Sequence, residues 1–284
     1  MVGREHRTEE GWQVYADGME RSSPEKEKLL KFVKEGTIVD AGCGYGTVIN
    51  LLSEAFPESR IIGVDSSKKM LEMAKSRGFG YNVDFLEADI TKPYLRAESA
   101  DTMIMCSVLH EVYSYQGLSA VQSALDVSYG ILKKGGRLII RDGVMPDCVR
   151  TRMRIGTLEN VKKFVKFAED FTPYKITYKT IDDYTVELSR PDAMEFLSKE
   201  IYDTNWDVEV QEQFGIYPLT EWQKILRHHG FNVIHTESYL IPFLRQRYES
   251  DGIKLFTVTN QGNNTSLQEA VYPDSTMILV AEKI

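Results

Sequence analysis

The sequence predicts an α/β fold: a doubly wound sheet of seven strands with a mainly helical cap inserted after the fifth. Three observations carry this. Over the first half, short apolar runs alternate with amphipathic stretches, the pattern of a parallel sheet covered on both faces. A glycine-rich turn, "DAGCGYG" at 40–46, joins the first apolar run to a helical pattern. From about Met145 to Tyr217 the alternation stops, amphipathic helical patterns take over, and the sheet pattern then resumes.

The elements follow in chain order. In "TIVDAGCGYGTVINLL" (37–52), Ile38 and Val39 read as the end of a buried parallel strand. Val48, Leu51, Leu52 and Ala55 then recur at helical spacing. "RIIGVD" is a second strand ending in Asp65, after which Ser66 or Ser67 can cap a helix carrying Met70, Leu71 and Ala74. "YNVDFLEADI" is a third strand, ending near Asp89, and "ADTMIMCSVLHE" a fourth, with Cys106 near its end. Leu118, Val121, Leu125, Tyr129 and Leu132 form the stripe of a long helix. Gly135 and Gly136 break it before "RLIIRDG", the fifth strand. In the insert, "TLENVKKFVKFAEDF" and "PDAMEFLSKEIYD" read as helices, the second opening with a proline suited to a first turn. Thr220 and Gln223 suggest a capping box ahead of Trp222, Ile225 and Leu226, with Gly230 closing that helix. "FNVIHTESYL" and "STMILVAEK" are the sixth and seventh strands, and the long segment from Ile241 to Asp274 between them is expected to add its own helix and strand.

Composition narrows the function classes. The 284 residues, 42% hydrophobic and 27% charged, are ordinary for a soluble globular chain. A net charge of −8 argues against an extended nucleic-acid footprint. The N-terminal "MVGREHRTEEGW" has no apolar signal core, and no run approaches membrane-spanning length. Cys43, Cys106 and Cys148 contain no C-x-x-C pair and fit a reducing cytosol, so a cytoplasmic protein without a membrane partner is expected. No His, Cys or acidic residues fall at metal-ligand spacing, and no metal is expected.

The glycine turn points to a ligand. Glycine lacks Cβ, tolerates positive φ and lets a molecule approach the main chain closely. A strand, such a turn and a helix N-terminus make a nucleotide-type site. The dinucleotide fingerprint would need glycine at 42, 44 and 47, but position 47 is Thr and the third glycine is Gly46. The plainer alternative is a turn with no ligand. Asp65 is placed to accept from a ribose diol, as an acceptor-only group at nucleoside spacing from the turn; its alternative role is a helix N-cap.

The run Asp40-Ala41-Gly42-Cys43-Gly44-Tyr45-Gly46 resembles the first motif of class I S-adenosylmethionine-dependent methyltransferases, and the matching features cover about residues 36 to 143. The resemblance implies a Rossmann-like sheet whose last strand is antiparallel. It also implies S-adenosyl-L-methionine as methyl donor, S-adenosyl-L-homocysteine as product, and a small-molecule acceptor. In that reading Gly42, Gly44 and Gly46 admit the methionine moiety and ribose, and Asp40 holds the loop and the ammonium end. Asp65 takes the ribose with Ser66 and Met70 nearby, Asp89 takes the adenine amine, and Ile90 packs beside the ring. Cys106 and Ser107 line the methionine-side cleft. "WQVYADGMERSSPEKEKLL" resembles the lid helix of small-molecule members, from which Tyr15 and Arg21 would reach the donor carboxylate. The expected organisation is lid helices over 1–35, a donor-binding core over 36–144 and 218–284, and an acceptor-binding cap over 145–217.

His110 and Glu111, just past the fourth strand, would face the acceptor. His110 is the first candidate base, with a hydrogen-bonding wall as its alternative, and Asp142 is a weaker candidate that Arg141 would pair. Arg150, Arg152 and Arg154 lie in a stretch of local balance +5 (six cations against Glu159), while 182–212 is strongly acidic. Either the arginines hold a carboxylate or phosphate of the acceptor, or the two halves of the cap pair with each other. The competing functions are an RNA or protein methyltransferase and a silent donor-binding or partner-binding protein. A monomer or homodimer is expected.

Overall fold

The computed structural model describes residues 11, 12, 16, 18, 20, 22–261 and 264–284. Tyr15 and Arg21 lie outside the described residues. The described core opens with a short helix, α1 (Ser23–Lys26), and a 3-10 turn (Glu27–Phe32). The central sheet has the order β3-β2-β1-β4-β5-β12-β9. Its strands are β1 (Thr37–Ala41), β2 (Arg60–Asp65), β3 (Val83–Glu87), β4 (Ala100–Cys106), β5 (Leu132–Gly143), β9 (Phe231–Tyr239) and β12 (Thr276–Lys283). All seven strands read from the sequence are there. β12 runs antiparallel to both β5 and β9, and the remaining pairings are parallel.

The strands are apolar on both sides because both faces are covered. Successive side chains alternate between faces, so Val39, Val64, Met103 and Ile140 enter one core with Trp222 and Leu226. Ile38, Ile61, Ile104 and Ile139 enter the other with Ile49, Leu52 and Leu71. The covering helices are α2 (Thr47–Ala55), α3 (Lys68–Ser76), α4 (Leu109–Gln116) and α5 (Leu118–Ile131). The strand order reverses between β1 and β4, which opens a crevice at their carboxyl ends.

Three local expectations change. The fourth strand ends at Cys106, and His110 and Glu111 open α4 instead, a helix divided from α5 by Gly117 at φ 81°. Leu132 starts β5, so Gly135 and Gly136 lie in the strand rather than after the helix. There is no capping box at Thr220: the later helix, Leu219–His228, has Pro218 at its N-cap, and the Gln223 amide donates to Thr236 Oγ1 at 3.2 Å.

The insert carries its expected helices, α6 (Leu158–Asp170) and α7 (Arg190–Lys199), and a short α8 (Trp206–Glu209). They pack on a second, antiparallel sheet of order β11-β10-β6-β8-β7 that the sequence reading did not foresee. β6 (Arg150–Arg154), β7 (Tyr178–Asp182) and β8 (Thr185–Ser189) come from the insert, while β10 (Lys254–Gln261) and β11 (Asn264–Ala270) come from the segment between β9 and β12. The core helix Leu219–His228 is α9, and α10 (Pro242–Ser250) leads from β9 into that hairpin. The reason for the miss is chemical. "RTRMR" turns only Thr151 and Met153 inward, so its charges hide a strand with one apolar face.

The second core is aromatic. Phe196 meets Phe164 edge-on at 5.2 Å and Phe167 at 5.6 Å, and buried Tyr248 donates its hydroxyl to the Leu197 carbonyl at 3.1 Å. Phe196→Ala removes the ring that joins both partners and should cost about 3–5 kcal/mol in urea unfolding. A loss below about 1 kcal/mol would mean that this core is not close-packed.

Candidate active site

The glycine turn is built by hydrogen bonds from β2. The N–H groups of Gly42 and Cys43 both donate to the Val64 carbonyl, at 2.7 and 2.9 Å. Gly42, Gly44 and Gly46 have φ of 85°, 52° and 88°, the left-handed region that glycine enters without strain. Gly42 has a second reason to be bare: a Cβ there would lie 2.4 Å from Val108 Cγ2, in the loop after β4.

Asp65, at the end of β2, fixes the turn. Its Oδ2 accepts the Gly44 N–H at 2.8 Å and its Oδ1 accepts the Ser67 N–H at 2.8 Å. A carboxylate has about four acceptor positions, so two directions remain for a ligand. Asp65 and Ser66 line a pocket with Gly42, Asp89 and Ile90 on one side and Val108, Glu111 and Tyr115 on the other. Partial burial pushes the Asp89 carboxyl up, but the Thr91 hydroxyl and Lys92 outweigh it and hold it below the ordinary range. Asp89 therefore presents an anionic acceptor. Ser67, not Ser66, caps α3, through the Met70 N–H at 3.3 Å, and Met70 itself is buried away from the pocket lining.

Asp40 is different. It is buried, and neither carboxylate oxygen has a hydrogen-bond partner among the described residues. Burial pushes its carboxyl up to about 7, with Asp65 reinforcing and Lys26 opposing the rise. An orphaned buried acid next to the glycine turn is what the ammonium of an amino-acid ligand would satisfy. Ser107, after buried Cys106, holds φ 56° while its N–H donates to the Arg141 carbonyl at 2.7 Å.

Beyond the pocket, β5 and α4 are locked together. Asp142 Oδ2 accepts the N–H groups of Leu109 and His110, at 2.8 and 3.3 Å. Its Oδ1 meets His110 Nδ1 at 2.6 Å and accepts the Gly143 N–H at 2.8 Å. Burial pushes the Asp142 carboxyl up, but His110 and the backbone donors hold it below the ordinary range. His110 Nε2 faces Glu212 Oε2 at 3.5 Å, and its ring packs on Phe214 at 4.3 Å. Burial alone would pull the imidazole down. The Asp142 and Glu212 carboxylates override burial and raise it to about 9.

Residues 39–140 match the family described as Methyltransferase domain. Over that stretch the chain is similar to a methyltransferase domain. Over 103 residues it is 37% identical to a trans-aconitate 2-methyltransferase of Acidovorax ebreus, an alignment covering 36% of this chain and 39% of that relative. The chain thus spans well under half the length of that curated relative. Among solved structures it resembles a Haloferax volcanii methyltransferase crystallised with the Trm112 activator (TM-score 0.55, 17% identity, 97% of this chain and 98% of that one). It also resembles human N-acetylserotonin methyltransferase bound to S-adenosylmethionine (TM-score 0.54, 16% identity, 100% of this chain and 60% of that one). These distant structures share the fold.

The crevice gathers Gly42, Asp65, Ser66, Asp89, Ile90 and Glu111 at one pocket and leaves other expected residues outside its lining. Arg150 and Arg152 pair with Glu187 on the neighbouring strand β8, the second at 2.7 Å, and Arg154 is exposed at the end of β6. None of the three lines the pocket, so the pairing alternative holds for Arg150 and Arg152. A cationic His110 with both ring nitrogens facing carboxylates is not a resting base at neutral pH. Asp142, filled by four donors, is a clamp. His110, Glu111 and Glu212 do bring one ligand atom each within 4.8 Å of one another, a cluster the sequence spacing did not suggest. With His110 protonated these three side chains form an ion-pair network; a metal would have to displace the imidazole proton.

Sequence reasoning missed Glu212, Phe214 and Tyr115. The Tyr115 hydroxyl donates to Glu212 Oε1 at 3.0 Å, and the Gln213 N–H donates to Ser114 Oγ at 2.8 Å. The acidic stretch before Phe214 reads as a solvated face, and nothing local tells it from one.

The His110 pKa carries a sign. It rises from an ordinary 6.5 to about 9, so its stabilisation is complete below pH 6.5 and lost as pH climbs through 9. The urea midpoint should fall across that window, and His110→Gln should flatten the fall. A slope that survives the substitution would assign it to another group.

Proposed function

We propose that this chain transfers a methyl group from S-adenosyl-L-methionine to a small-molecule acceptor by in-line displacement. The observation that carries this is the Asp65 bridge between the glycine turn and the start of α3, with the orphaned Asp40 beside it. One carboxylate is placed for a diol and the other lacks a hydrogen-bond donor, as the nucleoside and amino-acid ends of a single ligand require. When bound, the donor supplies a methyl carbon already activated by its sulfonium. The protein supplies alignment. Asp65 holds the ribose, Asp89 and Ile90 receive the adenine, and Asp40 takes the ammonium. The segment from Glu212 to Tyr217, tied to α4 through Ser114 and Tyr115, walls the acceptor side and excludes water.

The curated relative is named for trans-aconitate, which makes a small carboxylated molecule the first acceptor to test. Arg150 and Arg152 do not serve it, since Glu187 engages both. The free cysteines, Cys43 and Cys106 buried and Cys148 exposed, support a reducing compartment such as the cytoplasm. No described helix is long and apolar enough to cross a membrane.

Isotope-labelled S-adenosylmethionine incubated with trans-aconitate, and separately with a metabolite extract, should give a labelled product by mass spectrometry. Calorimetry should show S-adenosylhomocysteine binding that Asp65→Ala weakens by about 1–3 kcal/mol. Protein that binds NAD and not the homocysteine product would overturn the reading. A second measurement isolates Asp40. Its carboxyl ionises near pH 7, and an ammonium prefers the ionised form, so product affinity should rise with pH to about 7 and then level. Asp40→Asn should remove that rise; an unchanged profile would place the ammonium elsewhere.

A further inference from the structure

Carboxylates converge on the His110 imidazole from three chain segments. Asp142 Oδ1, at the end of β5, meets Nδ1 at 2.6 Å. On the other side of the ring, Nε2 faces Glu212 Oε2 of the insert at 3.5 Å. Glu111 follows on α4, and His110, Glu111 and Glu212 place one ring nitrogen and two carboxylate oxygens within 4.8 Å of one another. His110 and Glu212 are 3% and 4% exposed, and Glu111 lines the pocket beside Tyr115. Nearby cations are engaged elsewhere. Arg141 interacts with Asp142 and donates to Ser107 Oγ, and Lys199 lies over the Phe214 ring with Glu195 at 3.7 Å.

The two sides of the imidazole differ. Its Nδ1 contact is a short charge-assisted bond, whereas the Nε2 gap exceeds the usual about 2.7–2.9 Å of such a bond. Ligands bound at about 2.0–2.2 Å lie about 3.4 Å apart around a tetrahedral ion, and the Nε2 gap has that width. The surroundings are also those of a metal site. A ligating histidine donates its other N–H to a carboxylate, and ligating carboxylates are themselves hydrogen-bonded. Asp142 meets the first condition, and the Tyr115 hydroxyl, 3.0 Å from Glu212 Oε1, the second. An entering ion displaces the Nε2 proton to solvent. The carboxylates that hold this proton to about 9 attract a divalent ion in its place.

We propose that His110 Nε2, Glu111 and Glu212 bind one divalent transition-metal ion, Zn²⁺ or Mn²⁺, at the edge of the crevice. One imidazole with two carboxylates and no thiolate suits these ions. Sequence spacing gave no sign of the site because Glu212 lies 102 residues after His110. Three protein ligands leave a coordination position open, and Glu111 sets it at the pocket. On the methyltransferase reading, an oxygen of the acceptor's carboxylate takes that position, a task the Glu187-paired arginines do not perform. Only this last step rests on that reading.

The experiment uses the full chain without a polyhistidine tag, stripped by a chelator and dialysed. Calorimetry with Zn²⁺ and electron spin resonance with Mn²⁺ should each show one ion bound per chain. His110→Gln, Glu111→Gln and Glu212→Gln should each weaken binding about a hundredfold, and Tyr115→Phe, an outer partner, about tenfold. Urea midpoints check each fold, and Glu111→Gln and Tyr115→Phe keep the test open should the buried variants not fold. His228 and His229 are the control for adventitious surface binding, and protein carrying His228→Gln and His229→Gln should keep the ion. No binding, or binding that none of the ligand substitutions weakens, overturns the metal site and leaves the methyltransferase reading standing. trans-Aconitate is then titrated into protein saturated with S-adenosylhomocysteine, with and without Zn²⁺. A gain of at least tenfold with the ion, abolished by Glu111→Gln, supports the acceptor step; equal affinity overturns that step. Protein that binds the ion and not S-adenosylhomocysteine overturns the methyltransferase reading and keeps the metal site.

Discussion

The carboxylate of Asp142 is the constraint on which the rest of the molecule depends. It sits at the end of β5, buried and filled by donors from Leu109, His110 and Gly143. By accepting the first N–H groups of α4 it supplies the cap that the local sequence, Val108, cannot. By holding His110 Nδ1 it aims Nε2 at Glu212, across the joint between core and insert. An anion that orders a helix start, a cation and a second anion in series fixes three chain segments at once. Removing any member leaves a buried charge without its partner, which costs more than the link itself contributes.

The same joint is reinforced from the insert. Glu195 of α7 accepts the N–H groups of Phe214 and Gly215, at 3.1 and 2.8 Å, and so pins the segment that faces His110. Lys199, one turn on, lies 4.0 Å over the Phe214 ring, whose other contact is the His110 imidazole at 4.3 Å. An aromatic ring in contact with two cations is held by its electron-rich faces. The insert therefore meets the seven-stranded core through polar contacts from Glu195, Glu212 and His110. Directional contacts of this kind resist sliding, which would suit the acceptor wall of the proposed function.

What the sequence could reveal follows from the range of each interaction. The glycine turn, Asp65 and the apolar strands are local signals, because residue types at close spacing mark them even though their contacts, such as Gly44 with Asp65, are made by the fold. They were legible. The second sheet was not, since β6 takes its partners from β8, 31 or more residues later in the chain, and from β10, about 100 later. Its alternating arginines looked like a basic run because their partner, Glu187, is brought alongside only by strand pairing. His110 was found by position, and of its two expected roles the contacts with Asp142 and Glu212 favour the hydrogen-bonding wall. Its protonation is set by Asp142 and Glu212, 32 and 102 residues away in sequence, and no local pattern states a pKa.

On the proposed function, two buried groups of opposite charge set the pH range over which donor end and joint are both charged. Asp40 must be ionised to receive an ammonium, which its environment delays until about pH 7. His110 must be protonated to bridge Asp142 and Glu212, which its environment preserves to about pH 9. Between those limits the donor end has its anion and the joint its cation. Below them Asp40 is neutral and has nothing to offer an ammonium. Above them His110 loses its charge while two buried carboxylates remain, and their repulsion works against the insert's hold on α4. The window belongs to neither residue alone: it comes from burying one acid without a hydrogen-bond partner and one base between two carboxylates.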